Sequence, residues 1–288
     1  MEEVHPGDTP KVRLAFRTGY LGDRFSGSQM QPEARTVEGE FVAACLRTGL
    51  FPSFREGRFQ AAGRTDRGVH ARAQVFSFST AFPDRALTAL NWQLPEDIWV
   101  TGYAAVEPAF NPRHNATSRT YRYYFCEPAL DVHAMDRASR YFEGTHDFTF
   151  FARVEGKDPV RTVSSSRVFQ DHGCSVFEVV ADSFLWHMVR YMAFALLRIG
   201  TGAEEVDLVH SRLEGDGTAR LSPAAPEGLV LWDVSFNFPF LPLPIDTRTK
   251  AFLESRRVYH RRMTLMLDAL QDEGNNSVGH CGSRSHDE

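Results

Sequence analysis

The 288-residue chain contains four cysteines, three lysines (Lys11, Lys157, Lys250) and no apolar run near the ~18 residues that a membrane span needs. Cys45, Cys126, Cys174 and Cys281 are scattered, without a CxxC pair. That spacing excludes a disulfide framework and a cysteine-rich zinc site. HExxH, HxH, GxSxG and P-loop patterns are missing as well, and with them the usual signatures of zinc proteases, serine hydrolases and phosphate-cradling nucleotide enzymes. The amino terminus, "MEEVHPGDTP", lacks the basic-then-apolar layout of a signal peptide, so the reading is a cytoplasmic protein.

What the sequence does have is arginine. Formal net charge is −5, yet nearly all of the 32 basic residues are arginines, whose planar fork grips phosphate and stacks on bases. GC-rich coding gives the same bias, so position decides, and the arginines cluster at 64–72, 119–122 and 256–262. With 42% hydrophobic and 24% charged residues the composition is globular, and the length suits one large domain or two ordinary ones.

"KVRLAFR" alternates as a half-buried strand. A glycine- and proline-bearing loop follows, then "TVEGEFVAACLRTGLF", spaced as a helix. Period and composition predict strands at 73–79, 98–106, 119–126, 161–170, 175–182 and 228–236. They predict helices at 84–92, 133–142, 184–200 and 204–213. The order begins afresh near residue 119, and "VEPAFNPRHNATS" is the linker candidate. This divides the chain into α+β halves at 11–112 and 113–240, a basic helical extension at 241–271, and disordered ends at 1–10 and 272–288.

One segment carries an unusual charge arrangement. In "AAGRTDRGVHARAQVFSF", Asp66 stands alone among Arg64, Arg67, His70 and Arg72, between Gly63 and Gly68. A salt-bridged surface turn is the plain explanation. The glycines make it a poor helix, so Asp66 and His70 do not form an i,i+4 metal pair, and no metal site is expected. Cations around a carboxylate favour its charged form, which suits a nucleophile or electrostatic partner better than a general acid. A second feature lies in the apolar 184–200 segment. Arg190 and His187 stand off its hydrophobic stripe, and an arginine central to so apolar a helix meets a buried anion. Asp66 is the candidate.

The segment "AGRTDRGVHARAQV" resembles the catalytic loop of the TruA family of tRNA pseudouridine synthases, A-G-R-T-D-x-G-V-H-A with a Gln four residues after the His. "ATSRTYRYYF", "GTHDFTFFAR", "FLWHMVRYM" and "EGLVLWDV" are similar to further family segments, so the likeness covers residues 11 to about 238. Ser28 stands where many members have an aromatic, and Trp186 and Tyr191 replace the His and Asn of the bacterial motif. These departures look more like the archaeal branch.

The resemblance implies the pseudouridine synthase fold: two α+β halves sharing a continuous, mainly antiparallel sheet with a central active-site cleft. It implies that Asp66 is the essential carboxylate, with Arg190 and Tyr121 as the other catalytic residues. Tyr121 also supplies a platform for the flipped base, where stacking is worth roughly 1–3 kcal/mol. Arg64, Thr65, Gly68, His70 and Gln74 are implied as substrate-binding, Arg64 filling the gap that the base leaves. The implied substrate is tRNA, at anticodon-arm uridines around positions 38 to 40, bound by a homodimer without cofactor or membrane. Attack on the ribose, its deprotonation and addition to uracil all remain open for Asp66. Two rivals are weighed: a catalytically idle tRNA-binding protein or chaperone on this scaffold, and a metal-dependent nuclease using Asp66 and His70. Intact Asp66, Tyr121 and Arg190 argue against the first, and the lack of a second carboxylate cluster argues against the other.

Overall fold

Strand β1 (Val12–Tyr20) is buried along both faces rather than half-buried, and it carries a buried charge. Arg13 is 2% exposed. It donates from Nε to the Phe110 carbonyl (2.7 Å), from Nη1 to Arg58 O and Ser79 Oγ, and from Nη2 to Gln60 Oε1 and Ser77 Oγ. No carboxylate takes part, and burial, then the neighbouring Arg58, lowers its pKa to about 10. The same contact pins Phe110, so the proline-rich 106–118 stretch is anchored in the first core rather than strung loosely between halves.

The structure, a computed structural model, describes residues 10–216 and 221–271. The expected disordered ends, apart from residue 10, lie outside the described residues. After β1 come α1 (Val37–Arg47), α2 (Phe54–Gly57), β2 (Gln60–Ala61), β3 (His70–Thr80), α3 (Pro83–Gln93), β4 (Ile98–Val106) and α4 (Pro112–Asn115). The second round is β5 (Ser118–Phe125), α5 (Val132–Arg140), β6 (Gly144–Asp147), β7 (Val160–Asp171), β8 (Cys174–Ala181), α6 (Met188–Gly200), α7 (Leu208–Leu213), β9 (Leu229–Ser235) and β10 (Leu241–Pro242). Thr36 caps α1 by accepting the Gly39 N–H at 3.2 Å, a bond worth about 1 kcal/mol.

One ten-stranded sheet runs β10-β4-β1-β3-β9-β5-β8-β7-β6, with β2 beside β3. Its pairs are antiparallel except for β3 with β9, where His70 faces Val230 and Ala71 faces Leu231. That short parallel seam joins two hydrophobic clusters. One is built from β1, β3, β4, α1 and α3, the other from β5, β7, β8, α5 and α6, and Tyr121 packs against both. The chain is α+β, with the continuous, mainly antiparallel sheet that the resemblance implies.

Residues up to Asp246 form one compact unit, and a second holds α8 (Thr247–Gln271). On that helix Arg257 pairs with Glu254 at 3.0 Å, and Leu265, Met266 and Leu270 are exposed. No described helix is long and apolar enough to cross a membrane.

Candidate active site

The Asp66 loop enters the seam directly, since His70 is the first residue of β3 and the first to pair with β9. The loop is tied down on every side. Val69 N–H closes a turn onto Asp66 O at 3.2 Å, and Gly68 supplies the positive φ (+85°) that the turn requires. Gly22 allows the next layer to approach, because a Cβ there would sit 2.0 Å from the Val69 carbonyl oxygen. Thr65 exchanges bonds with Ser28: its N–H donates to Ser28 Oγ (2.8 Å), and its carbonyl accepts the Ser28 N–H (3.0 Å). Its hydroxyl meets the Tyr20 hydroxyl at 2.7 Å. The serine at 28, a departure from the aromatic of many family members, is thus a buried fastening of the loop.

Asp66 meets three side chains, all from the segment before and into α6. Trp186 Nε1–H donates to Oδ1 at 3.1 Å, while Arg190 Nη1 (3.4 Å) and His187 Nε2 (3.2 Å) reach Oδ2. Arg190 does not grip Asp66 with two prongs, as a fork-to-carboxylate pair would. Its Nε donates instead to the Ala224 carbonyl at 2.7 Å, splitting the fork between the carboxylate and the backbone. The helix expected from residue 184 begins only at Met188. His187 takes a left-handed conformation (φ +61°), costly for a non-glycine residue, and holds its ring on Asp66. Burial, opposed by the Asp66 charge and helped by Arg190 and Arg153, lowers its pKa. Its Nδ1 is buried with no protein partner.

Tyr121 lies where the sheet deforms. A register shift between Thr120 and Tyr121 accompanies its pairing with Leu231, which in turn faces Ala71 of β3. Its ring meets Phe184 edge-on at 5.1 Å, and burial pushes the hydroxyl pKa up to about 12. Asp66, Arg64, Thr65, Tyr121, Trp186, His187 and Arg190 line one cleft of about 1030 Å³. Gly68, His70 and Gln74 do not line it. Gln74 is buried and donates to the Gly63 carbonyl (3.0 Å), and His70 Nδ1 accepts the Gly22 N–H (3.0 Å), so both brace the loop from behind. Among the described residues, no group of three or more His, Cys, Asp or Glu side chains is placed to hold a metal ion.

The arginine clusters divide in the same way. Arg119 points inward, donating to the carbonyls of Asp182 (2.5 Å), Arg113 (2.7 Å) and Ala62 (3.1 Å). Arg122 pairs with Glu178 at 2.7 Å and stacks on Trp232. Neither is available to phosphate. Arg64, Arg67, Arg113 and Lys157 are the exposed cations of the cleft wall. Sequence reasoning selected none of Ser28, Trp186, His187, Arg113 or Lys157 for the site. For Trp186, the departure from the family motif was the available signal.

His70 has an experimental consequence. Its Nδ1 must stay unprotonated to accept from Gly22, and burial lowers its pKa from 6.5. A depressed histidine contributes stability that is complete above the ordinary value and is lost as pH falls from there through the folded value. Stability measured by urea unfolding is expected to decline from pH 7 to 5, and His70→Asn to show a shallower decline. An equal slope in the variant contradicts the assignment.

Comparison with known proteins decides the family. The tRNA pseudouridine synthase A of Methanoculleus marisnigri is 52% identical over 249 residues, covering 86% of this chain and 92% of that protein. The chain belongs to the TruA family of tRNA pseudouridine synthases. The tRNA pseudouridine synthase A of Methanosphaerula palustris is 54% identical over 247 residues, covering 85% of this chain and 88% of that protein. That of Thermococcus kodakarensis is 42% identical over 228 residues, covering 78% and 85%. A family model described as tRNA pseudouridine synthase matches residues 138–237. These TruA-family relatives are archaeal, in line with the branch that Ser28, Trp186 and Tyr191 suggested.

Proposed function

We propose that this protein is an isomerase that converts uridine to pseudouridine in tRNA, at anticodon-arm uridines around positions 38 to 40, with Asp66 as the essential carboxylate. The observation that carries the reading is Asp66 itself: a carboxylate met by Trp186, His187 and Arg190, at the seam of a cleft walled by exposed cations. The reaction breaks the N1–C1′ bond, turns the base and joins C5 to C1′; the C5 proton leaves and N1 takes one up. Bonds and electrons balance without an oxidant. Each route for the carboxylate, at the ribose or at the base, begins with an oxygen lone pair facing a nucleotide that has left its stack. Tyr121 is the platform for that nucleotide, Arg190 the counter-charge that aims Asp66, and Arg64 the side chain that fills the vacated space. Thr65, Gly68, His70 and Gln74 shape the loop that meets the substrate.

The two halves act together in this reading, 11–112 presenting Asp66 and 113–240 presenting Tyr121 and Arg190. The basic helix at 241–271 adds RNA contacts, a homodimer holds the L-shaped tRNA, and the enzyme works in the cytoplasm. The direct test is tritium release from tRNA transcribed with 5-tritiated uridine, since only C5 attachment expels that label. Release by the purified protein is expected, and its absence with folded protein counts against the proposal.

Binding is expected to depend steeply on salt despite the acidic net charge. Each phosphate neutralised by Arg64, Arg67, Arg113 or Lys157 releases counterions, and four such contacts lower affinity roughly a hundredfold between 50 and 200 mM salt. Filter binding at the two concentrations measures this, and an unchanged Kd contradicts it.

A further inference from the structure

We propose that Trp186 is a substrate-contacting residue: its indole holds Asp66 while the cleft is free of RNA and turns onto a nucleobase when RNA enters. The proposal rests on the reading of the cleft as a pseudouridine site. It starts from how Asp66 is held. Oδ1 takes the Trp186 N–H, while Arg190 and His187 approach Oδ2. A carboxylate offers about four lone-pair directions, so the indole covers one of the two on Oδ1, the oxygen that neither Arg190 nor His187 reaches.

The three side chains are not equally free to move. The Arg190 side chain is 12% exposed and is locked to Ala224, Nε to its carbonyl at 2.7 Å and Ala224 N–H to the Arg190 carbonyl at 2.9 Å. The His187 side chain is also 12% exposed and stands on a left-handed backbone at the helix start. Trp186 is 39% exposed. Its backbone is fixed by the Arg153 N–H, which donates to its carbonyl at 2.9 Å, so the indole can turn about its side-chain torsions while the main chain stays in place. The ring lies against the Arg153 guanidinium (4.9 Å) and the His187 ring (4.7 Å). A large ring exposed on the wall of this cleft, beside free cations, is the chemistry that receives a flat base while its phosphates are held nearby.

Two variants and one optical measurement test the assignment. Trp186→Ala should raise the half-saturating concentration of an unmodified tRNA transcript at least tenfold in single-turnover assays. Trp186→Phe, which keeps a ring, should stay within threefold of the wild type. Mixing with tRNA should change tryptophan emission in the wild type, and that change should be largely lost in Trp186→Phe. A half-saturation within twofold of wild type for Trp186→Ala overturns the proposal, as does the same emission change in Trp186→Phe as in the wild type. If Trp186→Ala does not fold, the phenylalanine variant and the emission change decide. Wild-type activity in the same assay separates this question from the function itself. A wild type that forms no pseudouridine refutes the underlying reading, whereas an active wild type with indifferent variants refutes only the role of Trp186.

Discussion

Asp66→Ala is expected to abolish pseudouridine formation and to leave tRNA binding within about threefold of the wild type. Affinity in such a cleft comes from phosphate contacts, here the exposed cations Arg64, Arg67, Arg113 and Lys157, and an anion among them adds none. The chemical step, by contrast, has no second carboxylate positioned to replace it: Glu155 and Asp182 also line the cleft, but neither shares the donors that hold Asp66. The single-turnover rate is expected to fall at least about a thousandfold, roughly 4 kcal/mol of barrier. The fold should survive, because Arg190 keeps Ala224 and the Asp66 side chain is 29% exposed, so water reaches the donors it leaves. A variant that binds weakly in proportion to its lost rate contradicts this division of labour.

Arg190 is the second position with a large expected effect. Its fork serves two masters, Asp66 and the Ala224 carbonyl, and a lysine ammonium cannot reach both from one point. Arg190→Lys should therefore fold and turn over about tenfold to a hundredfold more slowly. Arg190→Ala leaves Asp66 without its cation and should lose a further factor of ten or more, with a lower melting temperature. Removing one partner of a buried pair costs about 3–5 kcal/mol, and the partial exposure of Asp66 places this case below that range. The double variant Asp66→Ala, Arg190→Ala should turn over no worse than Asp66→Ala alone, as residues acting as one unit do. Additive losses in the double variant contradict the pairing.

How much of this was legible in the sequence depends on the range of the interaction. Strand β4 lies at 98–106 as its alternation predicted, and β5, β7, β8 and β9 fall within a residue or so of expectation. These strands announce themselves through their own side chains. The two-residue strands β2 and β10 and the polar β6 were missed, because such edges exist only where a neighbour offers bonds. The parallel β3–β9 contact was equally invisible, since its partners stand 160 residues apart, as at His70 and Val230. At the site, the Asp66 loop and Arg190 were readable from their charge and setting. Arg119 was misread as phosphate-binding because only the folded chain brings the carbonyls of Ala62, Arg113 and Asp182 around its guanidinium. His187 was placed on a helix because its apolar neighbours continue the helical period, and nothing local signals the left-handed turn that aims it.

The central claim is that Asp66 drives uridine-to-pseudouridine isomerisation in the anticodon arm. Pseudouridine mapping at nucleotide resolution, on an unmodified tRNA transcript incubated with the purified wild type or with Asp66→Asn, tests it most directly. The account predicts new pseudouridine around positions 38 to 40 with the wild type and none with the variant. Pseudouridine elsewhere in the tRNA, or at equal levels with Asp66→Asn, would contradict it.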